Sequence, residues 1–275
     1  MSAPPAQDPA ARQGDPQPAS GAPPARNPAA GQGDPQPVSG APPMSAILAQ
    51  GVSKYYGDYP ALRDVSFSVA PGACLAMLGR NGAGKTTLLK ILAGLSSPAK
   101  GTVAIFGKPP RDGEARRTIG VLGHGIAVYD ELSAFENLRL FGELYGLTDP
   151  RKAAAEWLER TGLERAGDGL VREFSRGMRQ RLAVARAFLH APRVLLLDEP
   201  FTALDDRAIA VLQTLLRQAL ADGRTIVMST HQLREALELA TEVGLINRGR
   251  LAFQGPRTQA MLDDPGWIYR HYGEA

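Results

Sequence analysis

The stretch Gly79-Arg80-Asn81-Gly82-Ala83-Gly84-Lys85-Thr86-Thr87 constrains this chain more than any other. Residues 73–78 before it form a short apolar run suited to a buried strand. Leu88-Leu89-Lys90-Ile91-Leu92-Ala93 after it is a helical pattern, stopped at Gly94. Strand, glycine loop and helix are the setting in which G-x-x-x-x-G-K-[ST] binds phosphate. Glycines let the backbone turn its N–H groups inward, and the helix N-terminus adds partial positive charge. Lys85 then supplies an ammonium for the β- and γ-phosphates of a nucleoside triphosphate, and the Thr86 hydroxyl suits Mg²⁺. A chain built around such a loop is expected to be α/β with a parallel sheet.

Two later strand ends carry matching chemistry. Val194-Leu195-Leu196-Leu197-Asp198-Glu199-Pro200 is an apolar strand that ends in two carboxylates, which a parallel sheet would present to a ligand crevice. A strand capped by acids is common by itself; beside a phosphate loop, Asp198 is expected to hold Mg²⁺ through water and Glu199 to polarise the attacking water. Thr225-Ile226-Val227-Met228-Ser229-Thr230 delivers His231 to the equivalent place, where a γ-phosphate contact is expected.

Not all of the 275 residues share this character. Of 22 prolines, 12 fall within residues 1–43, which contain no Leu, Ile, Phe, Tyr, Trp or Cys. Such a leader cannot bury enough apolar surface to offset the entropy of ordering it, so it is expected to be disordered. Residues 9–24 and 28–43 are near copies at an offset of 19, and Met44 follows the second copy directly. The expected organisation is a leader over 1–43 and one domain over 44–275, with Met44 as a candidate start. The single cysteine, Cys74, excludes an internal disulfide framework. A net charge of +3 is too mild to argue for nucleic acid, and no run approaches the 18 apolar residues of a membrane-crossing helix.

Between the phosphate loop and the acidic strand lies Phe174-Ser175-Arg176-Gly177-Met178-Arg179-Gln180-Arg181, leading into a helical pattern. With the phosphate loop, Asp198-Glu199, Ala203-Leu204-Asp205 and His231, this order resembles the ATP-binding subunit of ABC transporters across residues 46–256. The resemblance implies a RecA-like core with a parallel sheet, an antiparallel β subdomain, and a helical subdomain over about 125–177. It implies ATP and Mg²⁺ as ligands and a homodimer that sandwiches ATP head to tail. A separate transmembrane permease and a peripheral position on the cytoplasmic face of the membrane follow as well. Ser175 and Gly177 match the loop that completes the partner's site, and Asp205 the carboxylate that links the two sites. Tyr56 matches the aromatic that stacks on adenine, with Tyr55 as a close competitor.

Two departures stand out. The family reads L-S-G-G-Q where this chain has Phe174-Ser175-Arg176-Gly177-Met178, which adds charge and loses a glutamine. Where the family has a coupling glutamine, residues 118–122 run into Gly123-His124-Gly125, and a neutral imidazole is a poor Mg²⁺ ligand. His124 is therefore expected to couple to the permease. Leu122-Gly123-His124, the segment Asp130–Leu138 and Asp198-Glu199-Pro200-Phe201-Thr202 look most like the haem-exporter ATPase of cytochrome c maturation. An ATPase for drug, lipid or antibiotic export is the alternative. A soluble translation or repair ATPase fits less well, because the chain has one phosphate loop and no long coiled coil between Lys85 and Ser175. Ser133-x-x-Glu136 should cap a helix through about Tyr145, and Asp149-Pro150 should open another that carries Trp157, Leu158 and Leu163. Phe135, Leu138 and Phe141 are expected in the subdomain core, and Arg179, Arg181 and Arg186 on a solvated face.

Overall fold

The computed structural model describes residues 45–123 and 128–273, so His124 and the leader lie outside the described residues. The chain opens with β1 (Ile47–Tyr56), β2 (Tyr59–Val69), β3 (Cys74–Leu78), α1 (Lys85–Leu92) and β4 (Lys100–Ile105). It continues through α2 (Gly113–Arg117), β5 (Ile119–Leu122), α3 (Ala134–Tyr145), α4 (Pro150–Arg160) and α5 (Arg176–Phe188). Then come β6 (Val194–Asp198), α6 (Asp206–Ala221), β7 (Thr225–Ser229) and α7 (Leu233–Leu237). The described chain ends with β8 (Glu242–Asn247), β9 (Arg250–Pro256), α8 (Gln259–Asp263) and α9 (Trp267–Tyr272).

Six strands form one sheet in the order β5-β6-β7-β3-β8-β9, parallel except for the β8–β9 pair. Every residue of β3, β6 and β7 is buried, as expected of parallel strands covered on both faces. Their side chains alternate between two cores. Cys74, Ala76, Leu195, Leu197, Ile226 and Met228 join the core under the helices α3 to α6. Leu75, Met77, Leu196 and Val227 face α1 and the second sheet. Burial pushes the Cys74 thiol up to about 12, which leaves it unreactive. The second sheet is antiparallel, in the order β2-β1-β4. Gly57 and Asp58 turn β1 into β2, so that Tyr56 pairs directly with Tyr59.

The helical subdomain begins as its caps dictate. Ser133 Oγ accepts from Glu136 N, and Glu136 returns a carboxylate to Ser133 N at 2.8 Å, closing a capping box before α3. Asp149 caps α4 with Pro150 at its first turn. Leu163 is a correction: α4 ends at Arg160, and Leu163 is buried beyond it, ahead of a short 3-10 turn. Leu138 is fully buried, and Phe135 and Phe141 pack against the same core.

Arg179, Arg181 and Arg186 of α5 are a second correction, since each makes specific bonds instead of simply facing water. Arg179 pairs with Asp130 at 2.6 Å. Arg181 donates to the carbonyls of Thr161 and Gly162, at 3.2 and 2.9 Å, where α4 ends. Arg186 reaches the Val121 carbonyl at 2.9 Å and lies over the Phe141 ring. These bonds fasten α5 to both the helical layer and β5. Sequence periodicity misses them because these four bonds each span at least 19 positions.

Candidate active site

The phosphate loop leaves the end of β3 and enters α1 under tight backbone constraints. Gly84, the residue before α1, has φ +113°, and a Cβ there would stand 2.6 Å from the Ala61 carbonyl oxygen. At Gly79 a Cβ would meet the Ile246 carbonyl oxygen at 2.5 Å. Lys85 is buried in the first turn of α1, and its Nζ donates to the carbonyls of Gly79 at 2.7 Å and Arg80 at 3.3 Å. Burial pulls the Lys85 ammonium below the ordinary lysine value, opposed by the charges of Glu199 and Asp198.

The acidic pair is fixed from one residue on the neighbouring strand. Asp198 pairs with Ser229 across the β6–β7 ladder, and the Ser229 hydroxyl donates to Asp198 Oδ1. Glu199 N donates to the Ser229 carbonyl at 2.8 Å. Glu199 has φ +52°, a left-handed conformation that a glutamate adopts at a cost of about 1–3 kcal/mol. That turn at the strand end sends its side chain back toward the phosphate loop. Its Oε2 meets His231 Nδ1 at 2.8 Å and accepts the His231 backbone N–H at 3.3 Å. The Glu199 side chain is 13% exposed and the His231 side chain 60%. The pair therefore joins a half-enclosed carboxylate to a solvent-facing imidazole.

The phosphate loop, Glu199 and His231 meet in a cleft of about 480 Å³, which Gly79 and the buried Asp198 do not line. Asn81, Gly82, Ala83, Gly84, Lys85, Thr86 and Thr87 line one side, Glu199 and His231 another, and Tyr56 the mouth. Tyr56 is among the lining residues and Tyr55 is not. Lys54 Nζ lies 5.5 Å from the Tyr56 ring centroid. Tyr59, Ala61 and Thr202 also line the cleft and were not anticipated from sequence. The Tyr-Gly-Asp-Tyr hairpin turn could have identified Tyr59, because a two-residue turn sets its flanking residues opposite each other.

Ser175, Gly177 and Asp205 do not line this cleft. Ser175 is exposed and caps α5, its Oγ accepting from Met178 N at 3.2 Å. Gly177 lies close to the Ala203 carbonyl, where a Cβ would come within 3.1 Å. Asp205 caps α6 through Ala208 N at 2.8 Å. Arg176, expected to bring charge near the nucleotide, is exposed at the same helix start and is not a lining residue.

The ABC transporter family profile matches residues 62–202, about half of the chain. The chain belongs to the ABC transporter family. Among curated relatives, this ABC ATPase is 40% identical over 217 residues to the Nod factor export ATP-binding protein I of Cupriavidus metallidurans, covering 77% of this chain and 72% of the relative. It is 39% identical to the protein of the same name from Ralstonia nicotianae, covering 82% and 72%. Among solved structures it superposes on an ATP-binding subunit of an ABC transporter with TM-score 0.73 and 32% identity, covering 83% of this chain and 94% of that one. A dimeric, post-hydrolysis ATP-binding cassette bound to ADP and Pi matches with TM-score 0.71 and 27% identity, covering 77% and 99%. The α/β architecture with its antiparallel subdomain is therefore the ABC cassette fold, and the chain is an ATP-binding ABC ATPase.

Proposed function

We propose that this ABC ATPase drives export through a separate membrane permease and that ATP is hydrolysed between two copies of the chain. The observation that carries the reading is the Glu199–His231 pair at 2.8 Å, set at the phosphate-loop cleft beside buried Lys85. In this reading Tyr56 stacks on adenine. The amides of residues 81–87 and the Lys85 ammonium hold the phosphates. Glu199 accepts the proton of a water that attacks the γ-phosphorus in line; the new P–O bond forms as the bond to the β-phosphate oxygen breaks, leaving ADP and phosphate. His231 Nδ1 lies against Glu199, which leaves Nε2 for a γ-phosphate contact.

Mg²⁺ fits the residues present. The Thr86 hydroxyl and the buried Asp198 carboxylate are hard oxygen donors. Among the described residues no group of three or more acidic, His or Cys side chains forms a complete metal cage. That suits an ion that relies on one or two protein oxygens and on the phosphates themselves. Bound there, it would neutralise charge on the phosphate oxygens.

Ser175 and Gly177, exposed and outside the cleft, are assigned to the γ-phosphate of the partner's ATP. Asp205 and His124 are assigned to communication between sites and with the permease. The dimer in the related ADP-bound cassette supports this arrangement. Among the described residues no helix is long and apolar enough to cross a membrane, so transport calls for a partner that does. In this reading the chain works at the cytoplasmic membrane face, as the export ATP-binding relatives suggest. Two cargo classes have support. Haem export rests on the segments around Gly123-His124 and Asp130–Leu138, whereas a Nod factor-like cargo rests on the names of the relatives. Purification from detergent-solubilised membranes with mass spectrometry of the co-purifying proteins tests both. A haem-export permease supports the first, a permease of the Nod factor type supports the second, and a ribosome removes the transport reading.

A further inference from the structure

Gly79, the first residue of the phosphate loop, is gripped on every side that a backbone offers. Lys85 Nζ binds its carbonyl at 2.7 Å, and the Ile246 carbonyl occupies the place a Cβ would take. Its N–H donates to the hydroxyl of Tyr269, at 3.0 Å and 190 positions away, on the helix α9. That helix is firmly seated. Ile268 is buried, the Tyr272 ring stacks on Phe253 with centroids 4.5 Å apart, and Asn247 Nδ2 donates to the Gly273 carbonyl at 2.9 Å. Burial raises the Tyr269 hydroxyl above the ordinary tyrosine value, and the charges of Arg80 and Glu199 both act on it. The hydroxyl is thus a neutral acceptor at the Gly79 amide. Tyr269 also lies outside residues 62–202, the part that matches the family profile.

We propose that Tyr269 is a positioning residue for ATP binding, its hydroxyl holding the Gly79 amide so that the loop is already shaped for phosphates before the nucleotide arrives. The chain of contacts runs from α9 through Gly79 to the Lys85 ammonium, so the C-terminal helix sets where the phosphate-binding cation stands. Removing the hydroxyl leaves the Gly79 N–H without its partner and frees the loop to sample other shapes. Free sampling lowers the fraction of molecules ready to bind and so weakens apparent affinity more than it slows chemistry.

The test uses the full chain, with KM and kcat for ATP measured alongside the thermal unfolding midpoint. Tyr269→Phe keeps the ring and removes only the hydroxyl. It is expected to raise KM about three- to ten-fold, with kcat within about two-fold and the midpoint within about 2 °C of the parent. Tyr272→Phe, a hydroxyl lost from the same helix without a bond to the loop, should leave KM unchanged. An unchanged KM in Tyr269→Phe overturns the proposal, as does an equal rise in Tyr272→Phe or a fall in kcat and midpoint at constant KM. The inference rests on the phosphate-loop reading, which Lys85→Ala checks separately. Retained ATP affinity in that variant defeats the loop reading itself, whereas lost affinity in Lys85→Ala with an unchanged Tyr269→Phe defeats only the role of Tyr269.

Discussion

Glu199 receives two hydrogen bonds from a single residue, His231, one from the ring and one from the backbone. The carboxylate is therefore oriented by the end of β7 while it hangs from the end of β6. In its proposed role as base, Glu199 depends on its charge. Glu199→Gln should keep ATP affinity, lower turnover by at least about 100-fold and trap an ATP-bound dimer. Single-turnover hydrolysis with size-exclusion chromatography checks this, and near-normal hydrolysis removes Glu199 from the role of base.

The two tyrosines of the hairpin turn make separate claims on the base. Tyr56 and Tyr59 are both exposed and both line the cleft mouth. Tyr56→Ala should weaken ATP binding by about 1–3 kcal/mol, the range for a base stacked on an aromatic ring. Tyr59→Ala should cost less if one ring bears the stack and equally if both do. Titration with a fluorescent ATP analogue distinguishes the cases, and no loss in either variant would place adenine elsewhere.

Much of this site is legible in the sequence because its motifs are local. The phosphate loop and the Asp198-Glu199 strand end are each contiguous in the chain, and the Ser133–Glu136 capping box closes its bonds within three residues. Tyr59 gives little local signal because the apolar alternation of β2 begins only at Val65, although the strand reaches back to the Gly57-Asp58 turn. Tyr269 carries no local signal at all, since its bond to Gly79 closes a loop of 190 residues. The α5 arginines failed for a related reason. A charged residue on a helix reads as solvated unless its distant carbonyl partner is known.

Arg181 offers a test of that last group. Its two bonds to Thr161 and Gly162 meet the exposed carbonyls and the negative end of the α4 dipole. Arg181→Met keeps most of the apolar stem and should cost about 1 kcal/mol of stability. Urea unfolding should show a lower midpoint while KM for ATP stays the same. A shift in KM would mean that the helical layer acts on the nucleotide through this residue.

His190 sets a pH dependence on the fold. Its ring stacks on Tyr145 at 3.7 Å, and Nε2 lies 3.1 Å from the Ile119 carbonyl, which can only accept. Nδ1 is thus the bare nitrogen, and it is buried without a partner. Burial, which outweighs the Ile119 bond, lowers the His190 pKa from 6.5 to about 4, with Arg186 and Arg224 adding to the fall. As pH drops through that window the unfolded chain takes up a proton that the native chain refuses. Stability is therefore full above the unfolded value and is lost toward pH 4, by at most about 1.4 kcal/mol per pH unit from this group. His190→Gln should flatten the slope of stability between pH 7 and pH 5. Urea midpoints for both proteins across that range decide it, and parallel slopes would exonerate His190.

Ser229 fastens Asp198 through its hydroxyl and Glu199 through its carbonyl, and it stands two residues before His231. The acidic pair and the imidazole thus share one point of reference buried in the sheet. Substitutions on the outer helical surfaces should therefore leave the alignment of the phosphate-loop cleft intact.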